Sequence, residues 1–110
     1  MPRSMDLDQF SRGLDAFAAH DPTHLYLHHV QAFLEVARHG RRTYEEIAAA
    51  LNITPSSVSR IAQSLSGTHR NGTPGHGLLE IDRDPGEGRR YVLRLSPKGE
   101  AMARQLRNLK

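Results

Sequence analysis

The stretch "TYEEIAAALNITPSSVSRIAQSL" (residues 43–65) decides the fold. It opens on a capping box: Thr43 is placed to cap a helix and Glu46, three residues on, to cap back. Ile47, Ala48 and Leu51 then give that short helix one apolar side. Asn52 is a residue that tolerates the left-handed conformation, so "NIT" reads as a tight turn. Thr54 caps the next helix and Pro55 is its first residue. Within that helix Val58, Ile61, Ala62 and Leu65 recur at i, i+3, i+4 and i+7, one apolar stripe. Ser56, Arg60 and Gln63 centre on the opposite side, flanked by Ser57, Ser59 and Ser64. That face holds no Glu and no Lys, unlike an ordinary solvated face. A short helix, a tight turn and a second helix with an unusual outer face make a helix-turn-helix.

The flanks extend the pattern. Upstream, Leu7, Phe10, Leu14 and Phe17 form one helical stripe, with Asp6 as its cap and residues 1–5 frayed. "HDPTH" breaks the chain, and Asp21 with Pro22 starts a second helix that runs to about His39, with Gly40 as its stop. Leu25, Val30, Phe33, Leu34 and Ala37 give it a broad apolar face. Downstream, residues 66–77 are a Gly-rich loop. "LLEIDR" and "RRYVLRL" alternate around "DPGEG" and predict a β-hairpin, turning at residues 85–88. Leu79 and Ile81 share one face of it, and Tyr91, Leu93 and Leu95 one face of the return strand. Ser96 and Pro97 start a last helix with Ala101, Met102, Leu106 and Leu109 as its stripe. The expected class is α+β, a mainly helical winged helix-turn-helix with a two-stranded hairpin wing. Residues 1–110 are read as one winged-helix domain: an N-terminal helix over 1–21, a winged-helix core over 22–96 and a C-terminal helix over 97–110.

Composition narrows the function. A chain of 110 residues supports one modest core. It has no Cys, which excludes disulfides and thiolate zinc sites. No apolar run approaches the ~18 residues of a membrane span, and the N-terminus lacks the apolar core of a secretory signal, so a cytoplasmic protein is expected. Residues 1–40 carry three basic and five acidic side chains, and residues 41–110 carry twelve and seven. The basic excess therefore lies with the helix-turn-helix and hairpin, which favours a polyanionic partner. No P-loop and no acid–base pair is present, so an enzyme is not expected, nor a cofactor. His20, His24 and His28 lie four apart, but Pro22 interrupts the run and no carboxylate completes a metal set; surface, interface or capping roles are expected, and no metal. His69 and His76 lie in the long loop.

Two stretches, residues 43–65 and "GLLEIDRDPGEGRRYVLRLSPKGEAM" (residues 77–102), resemble the MarR-type winged-helix transcription regulators. The first is similar to that family's helix-turn-helix, including "SSVSR" in the recognition helix. The second is similar to its strand–wing–strand, ending in "LSPKG" where the family has Leu-Thr-Pro-Lys-Gly. With the helix before them, the resemblance spans roughly residues 25–107. Asn52 replaces the family's usual turn Gly, the loop over 66–77 is long, Gly88 stands where a basic wing-tip residue is common, and the last helix is short. Short winged-helix proteins of phages and mobile elements look similar in these respects.

The resemblance implies sequence-specific binding of double-stranded DNA by a dimeric regulator, read here as a repressor on a palindromic operator. Small residues at the first turn of the recognition helix, Thr54, Ser56 and Ser57, let backbone approach phosphate at a helix N-terminus. Ser59 lies beside Arg60 and Gln63, which are long enough to reach guanine and adenine edges. The family's wing arginine falls on Arg89, with Arg90 beside it. The structural alternative for the hairpin arginines, Arg89, Arg90 and Arg94, is pairing with Glu80, Asp82 and Glu87 across the strands. Arg42, Thr43 and Tyr44, with Arg41 before them, are weaker candidates for backbone contacts. Phe10, Leu14, Phe17, Leu106 and Leu109 are the expected dimer interface. The competing readings are a winged helix that binds proteins, and a DNA-binding factor of replication, partition or packaging.

Overall fold

A computed structural model describes residues 6–21, 23–67, 75–83 and 90–109. Helix α1 (Leu7–His20) is followed by α2 (Leu27–His39), strand β1 (Arg41–Thr43), α3 (Tyr44–Leu51) and α4 (Pro55–Leu65). Strands β2 (Leu79–Arg83) and β3 (Tyr91–Leu95) come next, and α5 (Pro97–Arg107) closes the order. The sheet has three antiparallel strands, β1-β3-β2, one more than the hairpin alone provides. Arg42 stands opposite Leu93 and Thr43 opposite Val92. A strand of three residues with two arginines has no readable alternation, which is why pattern reasoning passes over it. In the other pair Leu79 faces Leu95, Ile81 faces Leu93 and Arg83 faces Tyr91.

The helix ends follow local chemistry. The Asp6 carboxylate accepts from the Gln9 amide and caps α1. The Thr43 hydroxyl accepts from the Glu46 amide, and Glu46 accepts in return from the Thr43 amide at 2.8 Å. Asn52 does sit in the left-handed region, with φ 58°, and Gly40 ends α2 with φ 88°. Thr54 caps α4 through the Ser57 amide, and Ser96 caps α5 through the Gly99 amide.

One boundary differs from expectation. α2 begins at Leu27, a turn later than Asp21 and Pro22 suggest. Pro22 lies outside the described residues. The Asp21 carboxylate accepts from the amides of Thr23 and His24, so it closes a turn instead of opening a helix. α2 is capped from Tyr26, whose amide donates to Nδ1 of His29.

The core gathers one stripe from each helix and one face of the sheet. Phe33 and Val36 of α2, Ile47 of α3, and Val58 and Leu65 of α4 are fully buried together with Leu78, Leu79 and Leu93. Each such side chain contributes ~1.5–3 kcal/mol relative to exposure. Phe17 of α1 meets Phe33 edge-on, with ring centroids 5.5 Å apart. Met102 of α5 is buried and Leu106 packs against the core, as expected, while Ala103 takes the buried place expected for Ala101, which is exposed. No helix among the described residues is long and apolar enough to cross a membrane.

Candidate nucleic-acid interface

The buried positions of α4 are Val58, Ile61, Ala62 and Leu65, and this orients everything else on the helix. Ser56 and Arg60 are exposed; Ser57, Ser59 and Gln63 are half-buried along the edges. Thr54 and Ser57 are tied together: the Ser57 amide donates to the Thr54 hydroxyl, and the two hydroxyls lie 3.0 Å apart. That leaves the first turn with small side chains and a free approach to the helix N-terminus, where partial positive charge collects. Arg60 forms no ion pair with any described residue. A long cation without a protein partner on an acid-free helix face is available to an external anion.

The residues around β1 are more engaged. Arg42 is half-buried; it meets Glu46 at 2.8 Å and Glu35 at 3.7 Å. Glu35 is itself buried on α2, with Arg38 and His39 also within 3.7 Å. The backbone hydrogen bond from Thr43, then its hydroxyl and Arg42, holds the Glu46 carboxyl below its ordinary range. Thr43 serves the capping box, and Arg41 is exposed. Tyr44 stacks on Tyr91 with centroids 5.4 Å apart; burial, then the neighbouring Tyr91, raises its phenol pKa.

On the wing, Arg89 lies outside the described residues, as do Glu87 and the turn over 85–88. Arg90 is exposed just before β3. Arg94 is paired across the strands with Glu80, at 2.8 Å, and with Asp82. A residue that sequence reasoning passed over is Arg83. Its guanidinium lies 5.0 Å from the Tyr91 ring centre and donates to the Tyr91 hydroxyl at 3.1 Å. Its place opposite Tyr91 depends on the strand register, which the alternation of the two strands does not give.

At the far side, α1, α2 and α5 border an apolar groove of about 490 Å3. Phe10 is 51% and Leu14 41% exposed on its wall, with Leu34, Leu106 and Leu109 beside them. Phe17 also lines it but is buried against Phe33, so its packing is satisfied within the chain. Gln9 donates to the Leu109 carbonyl at 3.2 Å and ties the two terminal helices together.

No family model and no curated protein matches the sequence. Solved structures do. RV1404 from Mycobacterium tuberculosis superposes with TM-score 0.71 at 16% identity, over 97% of this chain and 75% of that one. A mutant MarR from E. coli complexed with operator DNA gives 0.64 at 14%, over 94% and 69%. BpsR from Bordetella bronchiseptica, whose DNA binding is regulated by 6-hydroxynicotinic acid, gives 0.60 at 17%, over 91% and 70%. The fold is the MarR-type winged helix. Within the MarR-type fold α3 and α4 are the helix-turn-helix, and β2 and β3 are the stem of the wing. The ladder Arg83–Tyr91–Tyr44 fastens that stem to the start of α3. Arg60 and Arg83 are both exposed.

Proposed function

We propose that this protein is a transcription regulator that binds double-stranded DNA in a sequence-specific way. The observation that carries this is the outer face of α4. It has small hydroxyls at the first turn, an exposed Arg60 without an acidic partner, and no acidic residue along the helix. A helix whose apolar side is spent on the core presents that polar set to a groove. Arg60 reads a base edge, Ser56 and Ser57 hold the backbone at the helix N-terminus, and Gln63 reaches inward from the helix edge. Arg83, Arg89 and Arg90 carry the wing's contact. Arg42 contributes through its placement on Glu46 and Glu35, holding the start of α3.

The groove of α1 and α5 supports a homodimer, because exposed Phe10 and Leu14 form an apolar patch continuous with Leu106 and Leu109. Two-fold symmetry then sets a palindromic operator with half-sites about one helical turn apart, and the dimer acts as a repressor by occupying it.

Selection from a random-sequence DNA pool followed by sequencing tests the reading: a palindrome is expected, and no enrichment overturns it. On the recovered site Arg60→Ala loses ~1–3 kcal/mol and relaxes preference at one position. Equal weakening on every sequence makes Arg60 a phosphate contact only. Leu14→Asp, followed by light scattering, is expected to give a monomer.

A further inference from the structure

Three of the seven histidines meet at one point that the helical spacing of His20, His24 and His28 does not foretell. They are His20 at the end of α1, His29 in the first turn of α2, and His76 in the segment after α4. The His76 ring lies 5.4 Å from that of His20 and 5.6 Å from that of His29, centre to centre. His76 Nε2 is 3.3 Å from the His24 carbonyl oxygen, and Nδ1 is 3.8 Å from the Asp21 carboxylate. Only 10% of the His76 side chain is exposed.

The backbone on either side of His76 is bonded to the end of α4. The His76 amide donates to the Ser64 carbonyl at 2.8 Å, Gly77 to Ser66 at 2.9 Å, and Leu78 to Leu65 at 2.8 Å. His76 thus touches the end of α4 through its backbone and the α1–α2 junction through its ring. We infer that the three imidazoles form a proton-sensitive latch joining the C-terminal end of α4 to the junction of α1 and α2.

The charges around the cluster set the direction. Neutral rings pack tilted against one another without penalty. Protonating two of them puts like charges within ~6 Å in a half-buried place, which is unfavourable. Lys98 of α5 adds positive charge towards His20, and His28 towards His29. Asp21 is the counter-charge, and it is shared with His24 at 3.6 Å. Burial first, then these neighbours, hold His20 and His29 below the ordinary imidazole value. The cluster is therefore closed when neutral and opens on mild acidification, a use of histidine that needs no large shift to operate near neutrality.

The latch itself rests on geometry; its effect on operator binding rests on the proposed function, so the two are read separately. Amide exchange of the full chain is measured by NMR at pH 7.5 and 5.5, corrected for the intrinsic pH effect. Protection at Gly77 and Leu78 is expected to fall severalfold at pH 5.5, while the amides of Ile61 and Ala62 hold. His76→Gln, and independently His20→Gln, should remove that response. Equal protection at both pH values overturns the latch. So does an equal loss at Ile61 and Ala62, which is global unfolding, or a response that survives in both variants. On the selected DNA site, wild-type affinity should fall between the same pH values and His76→Gln affinity should not. Unchanged wild-type affinity with lost protection overturns the coupling to DNA.

Discussion

Replacing Gly99 by alanine measures how closely α5 is seated on the sheet. Two effects oppose each other. Alanine is the better helix former, by about 1 kcal/mol. Against it, a Cβ at Gly99 would lie 2.0 Å from the carbonyl oxygen of Leu78 and 3.1 Å from its carbon. Backbone oxygen cannot rotate aside, so α5 or the Leu78 segment must move by about 1 Å to reach a tolerable contact. Leu78 is fully buried and its carbonyl accepts the Ser96 amide at 3.1 Å. The Ser96 hydroxyl in turn donates to the Gly77 carbonyl at 2.7 Å. The shift therefore costs ~1–3 kcal/mol of overpacking and strains a buried hydrogen bond worth a further ~1–3 kcal/mol if left unmade. Steric cost outweighs propensity, and Gly99→Ala should destabilise by about 3 kcal/mol. In urea, where small domains show slopes of ~1–3 kcal/mol per molar, the midpoint should drop by roughly 1 M or more. A midpoint equal to or above that of the parent protein refutes the close approach of α5 to Leu78.

Thr43→Ala removes the hydroxyl that accepts the Glu46 amide, and should cost ~1 kcal/mol in chemical denaturation. Stability should also fall with acid in two windows. His20 and His29 have pKa values below the unfolded 6.5, so the unfolded chain binds protons first and stability declines as pH falls through 6.5. Asp21 is held at about 2, chiefly by the Thr23 amide, so its contribution is present above 3.8 and is lost as pH falls towards 2. Urea midpoints at pH 7.5, 5.5 and 3 check both steps. Arg83→Ala should weaken binding to the selected DNA and reduce its salt slope by about one charge, whereas Arg94→Ala, already matched to Glu80 and Asp82, should leave that slope unchanged.

Wherever a local rule decides the outcome, the sequence was legible. The caps at Asp6, Thr43, Thr54 and Ser96 all depend on a hydroxyl or carboxylate meeting an amide three residues on, and each forms. The turn at Asn52 and the buried stripe of α4 follow equally local periodicities. What stayed hidden is long-range. β1 exists only because β3 pairs with it, and nothing within "RRT" announces that. Asp21 was read as a helix cap because Pro follows it, yet the Thr23 and His24 amides claimed it first. The ion pairing of Arg42 with Glu35 and Glu46 and the Arg83–Tyr91–Tyr44 ladder depend on register and packing, which composition does not encode. Arg60 and Ser56 were legible as outward residues because their opposites are apolar, whereas Gln63, expected beside them, is half-buried at the helix edge.

The pairing of β1 with β3 has a further meaning for how the chain comes to be folded. Arg42 and Leu93 are neighbours across the sheet, and all of α3, α4 and β2 lie between them in sequence. Helix α4 is thus enclosed in a circuit that closes only when β3 arrives. Closing so long a circuit is entropically costly and is rewarded late, so the last step of folding should be the docking of β3. During synthesis the helix-turn-helix leaves the ribosome without the strand that completes its sheet. A nascent chain interrupted before residue 91 would expose β1 and the inner face of β2. Competence for the proposed activity would then arrive all at once, when β3 docks, instead of growing with the chain.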